Sequence, residues 1–189
     1  QFQMLKRLEF TYKMHLECIK ICKKKKIIFL SSAFDIESLK LLKNLKIKIF
    51  KVPSGEITNY PYLKFLGKLK KKIILSTGMS SIKEIKAAVN LLVKQGTPKK
   101  NITILHCNTE YPTPFVEANI KAMLDIKKSL KTEVGYSDHT ISIEASLAAV
   151  AIGAKVIEKH FTLDKKLPGP DHKSSIEPKD LKQLVKKIR

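Results

Sequence analysis

The chain has 189 residues, 43% of them hydrophobic, and its 37 Lys+Arg against 17 Asp+Glu give a formal charge of +20. This suits one soluble domain; no run approaches the ~20 apolar residues of a membrane-spanning helix, and Gln1-Phe2-Gln3-Met4 reads as the inside of a helix, not as a signal peptide. The charge raises nucleic-acid or membrane-surface binding, but the only arginines are Arg7 and Arg189, the lysines spread over every helix, and no RNP, helix-turn-helix or zinc-finger pattern accompanies them, so neither partner is expected.

In chain order, residues 5–22 show helical periodicity, with Thr11 as an N-cap. Cys18 and Cys22 lie one turn apart on it and read as buried thiols in preference to a zinc pair. With Cys107 they make three cysteines without framework spacing, which points to a reducing cytoplasm. The apolar run 27–30 is the first intact strand. Asp35 caps the next helix, which turns Leu39, Leu41, Leu42 and Leu45 toward the core. A strand from Ile47 ends in Val52-Pro53-Ser54-Gly55-Glu56, too rich in Pro and Gly for a helix. Another strand begins at Ile73, and Ser81-Ile82-Lys83-Glu84 behind it forms a capping box. That box opens a helix with Ile85, Ala88, Leu91 and Leu92 inward, ending near Gly96. The strand from Ile102 leads to a helix over 114–130. The strand from Glu133 leads to a small-residue, buried helix over 142–152 (Ala145, Ala148, Ala149, Ala151) stopped by Gly153. The strand from Lys155 precedes a segment over 178–189 opened by Pro178.

Six apolar runs thus alternate with helical segments, and each run ends in polar, reactive side chains. Repeated β-then-α units imply an α/β fold with a parallel sheet, because parallel strands need long crossovers. Chemistry at the C-terminal end of every strand implies one site at one rim, the layout of a (β/α)8 TIM barrel. Such barrels usually take ~250 residues, so the expectation is a partial barrel over residues 1–189 with about six units, strands 3–8, cut inside the helix before the first complete strand. The lysine runs 23–26 and 70–72 precede strands and fit a solvated opposite rim.

Strand alternation places Val156, Glu158 and His160 on one face of the last strand, and Gly135, Ser137 and His139 on one face of its predecessor. His139 and His160 can present two imidazoles to one ion; with two protein ligands, the other positions fall to water or substrate, as in a substrate-activating site. Lys51, Ser54, Ser76, Ser137 and Ser32 end their strands and form a candidate phosphate or carboxylate cradle. Taken singly, each serine is also a turn residue or cap, and Lys51 a lysine that snorkels to solvent. Glu56, Tyr111 and Asp171 are further rim candidates; Asp171 follows the stiff Pro168-Gly169-Pro170, and both carboxylates suit sugar hydroxyls or acid/base work. His15, His106 and His172 read as structural.

Six stretches carry a resemblance: Lys51-Val52-Pro53-Ser54-Gly55-Glu56-Ile57-Thr58-Asn59, Leu75-Ser76-Thr77-Gly78-Met79, Leu105-His106-Cys107-Asn108-Thr109-Glu110-Tyr111-Pro112, Gly135-Tyr136-Ser137-Asp138-His139-Thr140, Glu158-Lys159-His160-Phe161-Thr162 and Pro168-Gly169-Pro170-Asp171-His172. Together they resemble the sialic acid synthase family, meaning N-acetylneuraminate synthase and its legionaminic and pseudaminic acid relatives. The resemblance implies a cytoplasmic transferase that condenses phosphoenolpyruvate with an open-chain N-acylated amino sugar, N-acetylmannosamine or a relative. It implies that His139 and His160 hold a divalent ion, manganese with magnesium or cobalt as substitutes. It places Lys51, Ser54, Ser76 and Ser137 on phosphoenolpyruvate, with Ser32 where the family often has threonine and Thr109 near a further contact. It assigns Glu56, Tyr111 and Asp171 to the sugar and the reacting carbons, and implies a homodimer.

The same resemblance implies parts not seen in this sequence: the first two barrel strands, with a catalytic glutamate, and a C-terminal antifreeze-like domain. Little or no turnover is therefore expected of the isolated chain. Two competing readings are another metal-dependent barrel lyase or synthase and a degenerate basic fragment.

Overall fold

The computed structural model describes residues 2, 6 and 8–189. The expected helix start at Leu5, with Gln1, Gln3, Met4 and Arg7, lies outside the described residues. Helix α1 (Tyr12–Lys25) begins where the Thr11 hydroxyl accepts the Met14 N–H, and ends at Lys26 in the left-handed region (φ 56). Lys23, Lys24 and Lys25 sit in its last turn, beside carbonyls that favour cations.

The run 27–30 does not form a strand, which corrects the expected six to a five-stranded sheet. Ile27 and Ile28 are 62% and 67% exposed, and pairing is reduced to one bridge between Ser32 and Lys51. β-propensity alone does not make a strand where little surface is buried on either face.

After α2 (Ile36–Asn44), capped by Asp35, the sheet is built from β1 (Ile49–Val52), β2 (Lys72–Ser76), β3 (Ile102–Cys107), β4 (Glu133–Asp138) and β5 (Ile157–Lys159). All neighbours are parallel and follow in sequence order. The crossovers are α3 (Tyr60–Lys68), α4 (Ile82–Lys94), α5 (Ala122–Leu130) and α6 (Glu144–Ala151), and α7 (Pro178–Ile188) follows β5. The result is a parallel half-barrel.

Helix α3 was not foreseen; its signal is Asn59, whose side chain accepts the Tyr62 N–H, with a proline in the first turn. The capping box that opens α4 is present, with Ser81 and Glu84 exchanging bonds. The expected 114–130 helix is split. A 3-10 turn at Phe115–Glu117 and left-handed Asn119 (φ 39) delay α5 to Ala122. Helix α6 buries Ala145, Ser146 and Ala149, while Ala151 is exposed, so only one face of this apolar helix packs inward.

Alternation divides every strand. Phe50, Val52, Ile73, Leu75, Ile102, Ile104, Val134 and Tyr136 are buried against Leu39, Leu63, Leu66, Ala88, Leu92, Met123 and Ala149 of the helices. The opposite parity (Lys51, Ser76, Cys107, Ser137 and Glu158) lines a cavity. Among the described residues no helix is long and apolar enough to cross a membrane.

Candidate functional site

The cavity lies at the C-terminal ends of the five strands and has a volume of about 480 Å³. Each strand end contributes: Lys51 and Ser54 from β1, Ser76 from β2, Cys107, Thr109 and Tyr111 from β3, Ser137 and His139 from β4, and Glu158 and His160 from β5. Ser32 and Phe34 line it from the segment before β1. Glu56 and Asp171 are not among the lining residues. The Glu56 carboxylate instead accepts a 2.6 Å bond from Asn59, and Asp171 stands at the mouth, 61% exposed, 3.8 Å from the Nδ1 of His160.

A polar chain crosses the floor. The Lys51 ammonium, only 8% exposed, is 3.4 Å from a carboxylate oxygen of Glu158, and that oxygen accepts 2.8 Å from the Ser137 hydroxyl. The Ser137 oxygen is 3.3 Å from Nε2 of His139. On the far side of that ring, Nδ1–H donates to the Asn108 carbonyl at 2.6 Å. With the serine proton given to Glu158, Nε2 of His139 keeps its lone pair toward the cavity. A backbone carbonyl that fixes a histidine tautomer in this way is the usual support of a metal-ligating ring. The His139 and His160 rings are 5.3 Å apart and nearly perpendicular, and the Tyr111 ring rests 4.0 Å from His139. Burial pushes the Tyr111 phenol up, and nearby Cys107, Asp171 and Glu158 reinforce the shift, so the hydroxyl stays protonated and able to donate.

Two further features distinguish the β1 and β2 side of the cavity. The Ser76 hydroxyl is buried, with no hydrogen-bond partner among the described residues. A buried hydroxyl left unpaired is costly, and this one is on a residue that lines the cavity. The Ser54 oxygen accepts the Gly78 N–H at 2.9 Å and lies 3.4 Å from Sγ of Cys107, tying the β1 and β2 loops together. A Cβ at Gly78 would come within 2.7 Å of the Thr109 methyl group and 3.1 Å of the Ser54 hydroxyl, so those side chains would have to shift to admit it.

Glu158 is the residue that sequence reasoning left without a role. Its signal was its parity, shared with His160 two positions on. Its partners come from β1 and β4, and that neighbourhood is set by strand order.

His139 is held below the ordinary imidazole range by burial, with the His160 charge acting in the same direction against a raising bond to Asn108; burial also lowers His106. Both rings therefore bind fewer protons folded than unfolded. Their contribution to stability is intact at neutral pH and is lost as pH falls below about 6.5. Thermal melts of the metal-free protein should show the midpoint dropping from neutral pH toward pH ~5, with the slope reduced in His106→Gln. An unchanged slope in that variant would exclude His106 as a source.

The profile of the NeuB family matches residues 1–189. The chain is 60% identical over 189 residues to the N,N'-diacetyllegionaminic acid synthase of Campylobacter jejuni, covering 100% of this chain and 57% of that protein. The crystal structure of N-acetylneuraminic acid synthetase from Leptospira borgpetersenii, in complex with citrate, superposes with a TM-score of 0.90 at 38% identity, over 95% of this chain and 62% of that one. A phospho-2-dehydro-3-deoxyheptonate aldolase from Thermotoga maritima, at 19% identity and TM-score 0.76 over 94% of this chain and 54% of that one, shares the fold alone. The chain spans about half the length of the curated relatives it matches. With the profile matched from end to end, the chain belongs to the NeuB family.

Proposed function

We propose that the chain carries the phosphoenolpyruvate and metal side of a nonulosonate synthase. The reaction joins the enol carbon of phosphoenolpyruvate to the aldehyde of an N-acylated amino sugar and releases phosphate. The observation that carries this reading is a single cavity holding a buried lysine, an unpartnered hydroxyl and two converging imidazoles. Among the described residues no third His, Cys, Asp or Glu joins those imidazoles in a ligand cluster, which leaves positions for water or substrate. His139 and His160 would hold a divalent ion, manganese by preference, and the ion would supply polarisation of the sugar aldehyde.

The remaining roles follow from the residues. Lys51 and Ser76 bind the anionic groups of phosphoenolpyruvate, with Ser32, Ser54, Ser137 and Thr109 around them. Tyr111 donates to a sugar oxygen, and Asp171 at the mouth accepts from sugar hydroxyls. Glu56, turned toward Asn59, would reach the sugar only by leaving that bond. Attack of the enol carbon makes a bond to the aldehyde carbon, whose oxygen takes a proton. Water then adds to the resulting cation, Glu158 lies where it can accept the water's proton, and the C–O bond to phosphate breaks. For the sugar, the 60% identity to a diacetyllegionaminic acid synthase favours a diacetamido sugar over N-acetylmannosamine.

Phosphate release from phosphoenolpyruvate with manganese, measured on the full-length protein with each sugar separately, tests the proposal. Release with the diacetamido sugar alone is expected; a folded protein that releases phosphate with no sugar would sink it. In the same assay Lys51→Met should raise KM for phosphoenolpyruvate by about 100-fold. It removes a charge-assisted contact worth ~3 kcal/mol and leaves Glu158 without its cation. An unchanged KM would take Lys51 out of the anion site.

A further inference from the structure

We propose that Asp138 and Lys159 form a positioning pair that holds the two imidazoles in place; this rests on the reading that His139 and His160 share an ion. The two residues are direct partners across β4 and β5, and each immediately precedes one of the histidines. Their side chains point away from the cavity, into the layer beneath α6, and are 0% and 4% exposed. Lys159 Nζ is 3.0 Å from Oδ2 of Asp138. The other bonds converge on the residue after His139: Oδ1 of Asp138 accepts the Thr140 N–H at 2.8 Å, and Lys159 donates to the Thr140 carbonyl at 2.5 Å. Ser146 of α6 donates to Oδ2 of Asp138 at 2.5 Å, which anchors the pair to the helix.

Stability does not explain these charges. Well-packed apolar residues serve as well as, or better than, a buried ion pair, so a pair kept at such a place points to geometry. Here it fixes the strand register and the backbone on both sides of His139. A slip of one residue between β4 and β5 would turn His139 or His160 out of the cavity. The pair spans the two strands that carry imidazoles; on that face β1–β2 and β2–β3 meet across buried apolar side chains, and β3–β4 across Ile104 with Val134 and His106 with Tyr136.

The test is a manganese titration of the metal-free, full-length protein, with free ion read by electron paramagnetic resonance, on wild type, Lys159→Met and Ser146→Ala. Lys159→Met should weaken manganese binding by about 10-fold. Ser146→Ala, which removes one bond at a helical position that suits alanine, should weaken it by about 3-fold. A purely structural pair would lower the unfolding midpoint and leave the affinity of the folded protein unchanged; that result overturns the proposal. If Lys159→Met does not fold, the Ser146→Ala titration decides alone. Wild type that binds manganese with both folded variants equal to it sinks the pair only. Wild type that neither binds manganese nor releases phosphate sinks the synthase reading, and the pair with it.

Discussion

Replacing His139 and His160 together by alanine should abolish manganese binding and lower turnover at least about 1,000-fold, with the fold retained. Polarisation of a carbonyl by a bound ion supplies several kcal/mol, and each 1.4 kcal/mol is about tenfold in rate. The fold should survive because both rings face the cavity and the helix-side core is built from the opposite parity. The double substitution is cleaner than a single one, since one imidazole with a water ligand can keep a weak site. Circular dichroism checks the fold, and calorimetric titration with manganese checks the site. Wild-type manganese affinity in the double variant would exclude the histidines as ligands.

The second large effect concerns stability. Gly135→Ala should destabilise the protein by about 3 kcal/mol or more, beyond the usual cost of an added methyl group. A Cβ at Gly135 would lie 2.3 Å from the Val156 carbonyl oxygen and 2.6 Å from Leu105. The carbonyl cannot simply retreat, because it accepts the Tyr136 N–H at 2.9 Å. Relief therefore requires β4 and β5 to part, which also pulls Ser137 from Glu158. Gly55→Ala is the control: apart from its chain neighbours, none of the described residues lies within 4 Å of its added Cβ, so it should fall within ~0.5 kcal/mol of wild type. Urea unfolding of both variants measures the difference, and equal midpoints would contradict the close approach of β4 to β5.

The sequence was most informative where one strand decides the outcome. Alternation alone placed Ser137 with His139 and Glu158 with His160, and a strand-end position put Lys51, Ser54 and Ser76 at one rim; all of these line the cavity. What depended on neighbours was harder to read. The run 27–30 has strand composition, but the sheet gives it one bridge, because extended pairing needs burial and a partner on its flank. Helix α3 was hidden behind Pro53, Gly55 and Pro61, although Asn59 and Pro61 together are a start signal. The bond that Ser137 donates to Glu158 and the close pair of Lys51 and Glu158 require β5 beside β4 and the curvature that brings β1 near; periodicity encodes neither. Asp138 and Lys159 read as polar residues on a face that should be apolar, a local conflict that only the tertiary bonds resolve.

The alternation has a consequence for heritable variation. Codon changes at Ser32, Ser54, Ser76 or Thr109 alter the cavity lining and leave the residues of the helix-side core as they are. The cavity lining can therefore change while the scaffold stays constant. Loss of one codon inside β2, β3 or β4 is a different event: it exchanges the two faces of the strand beyond that point and removes core and chemistry in one step.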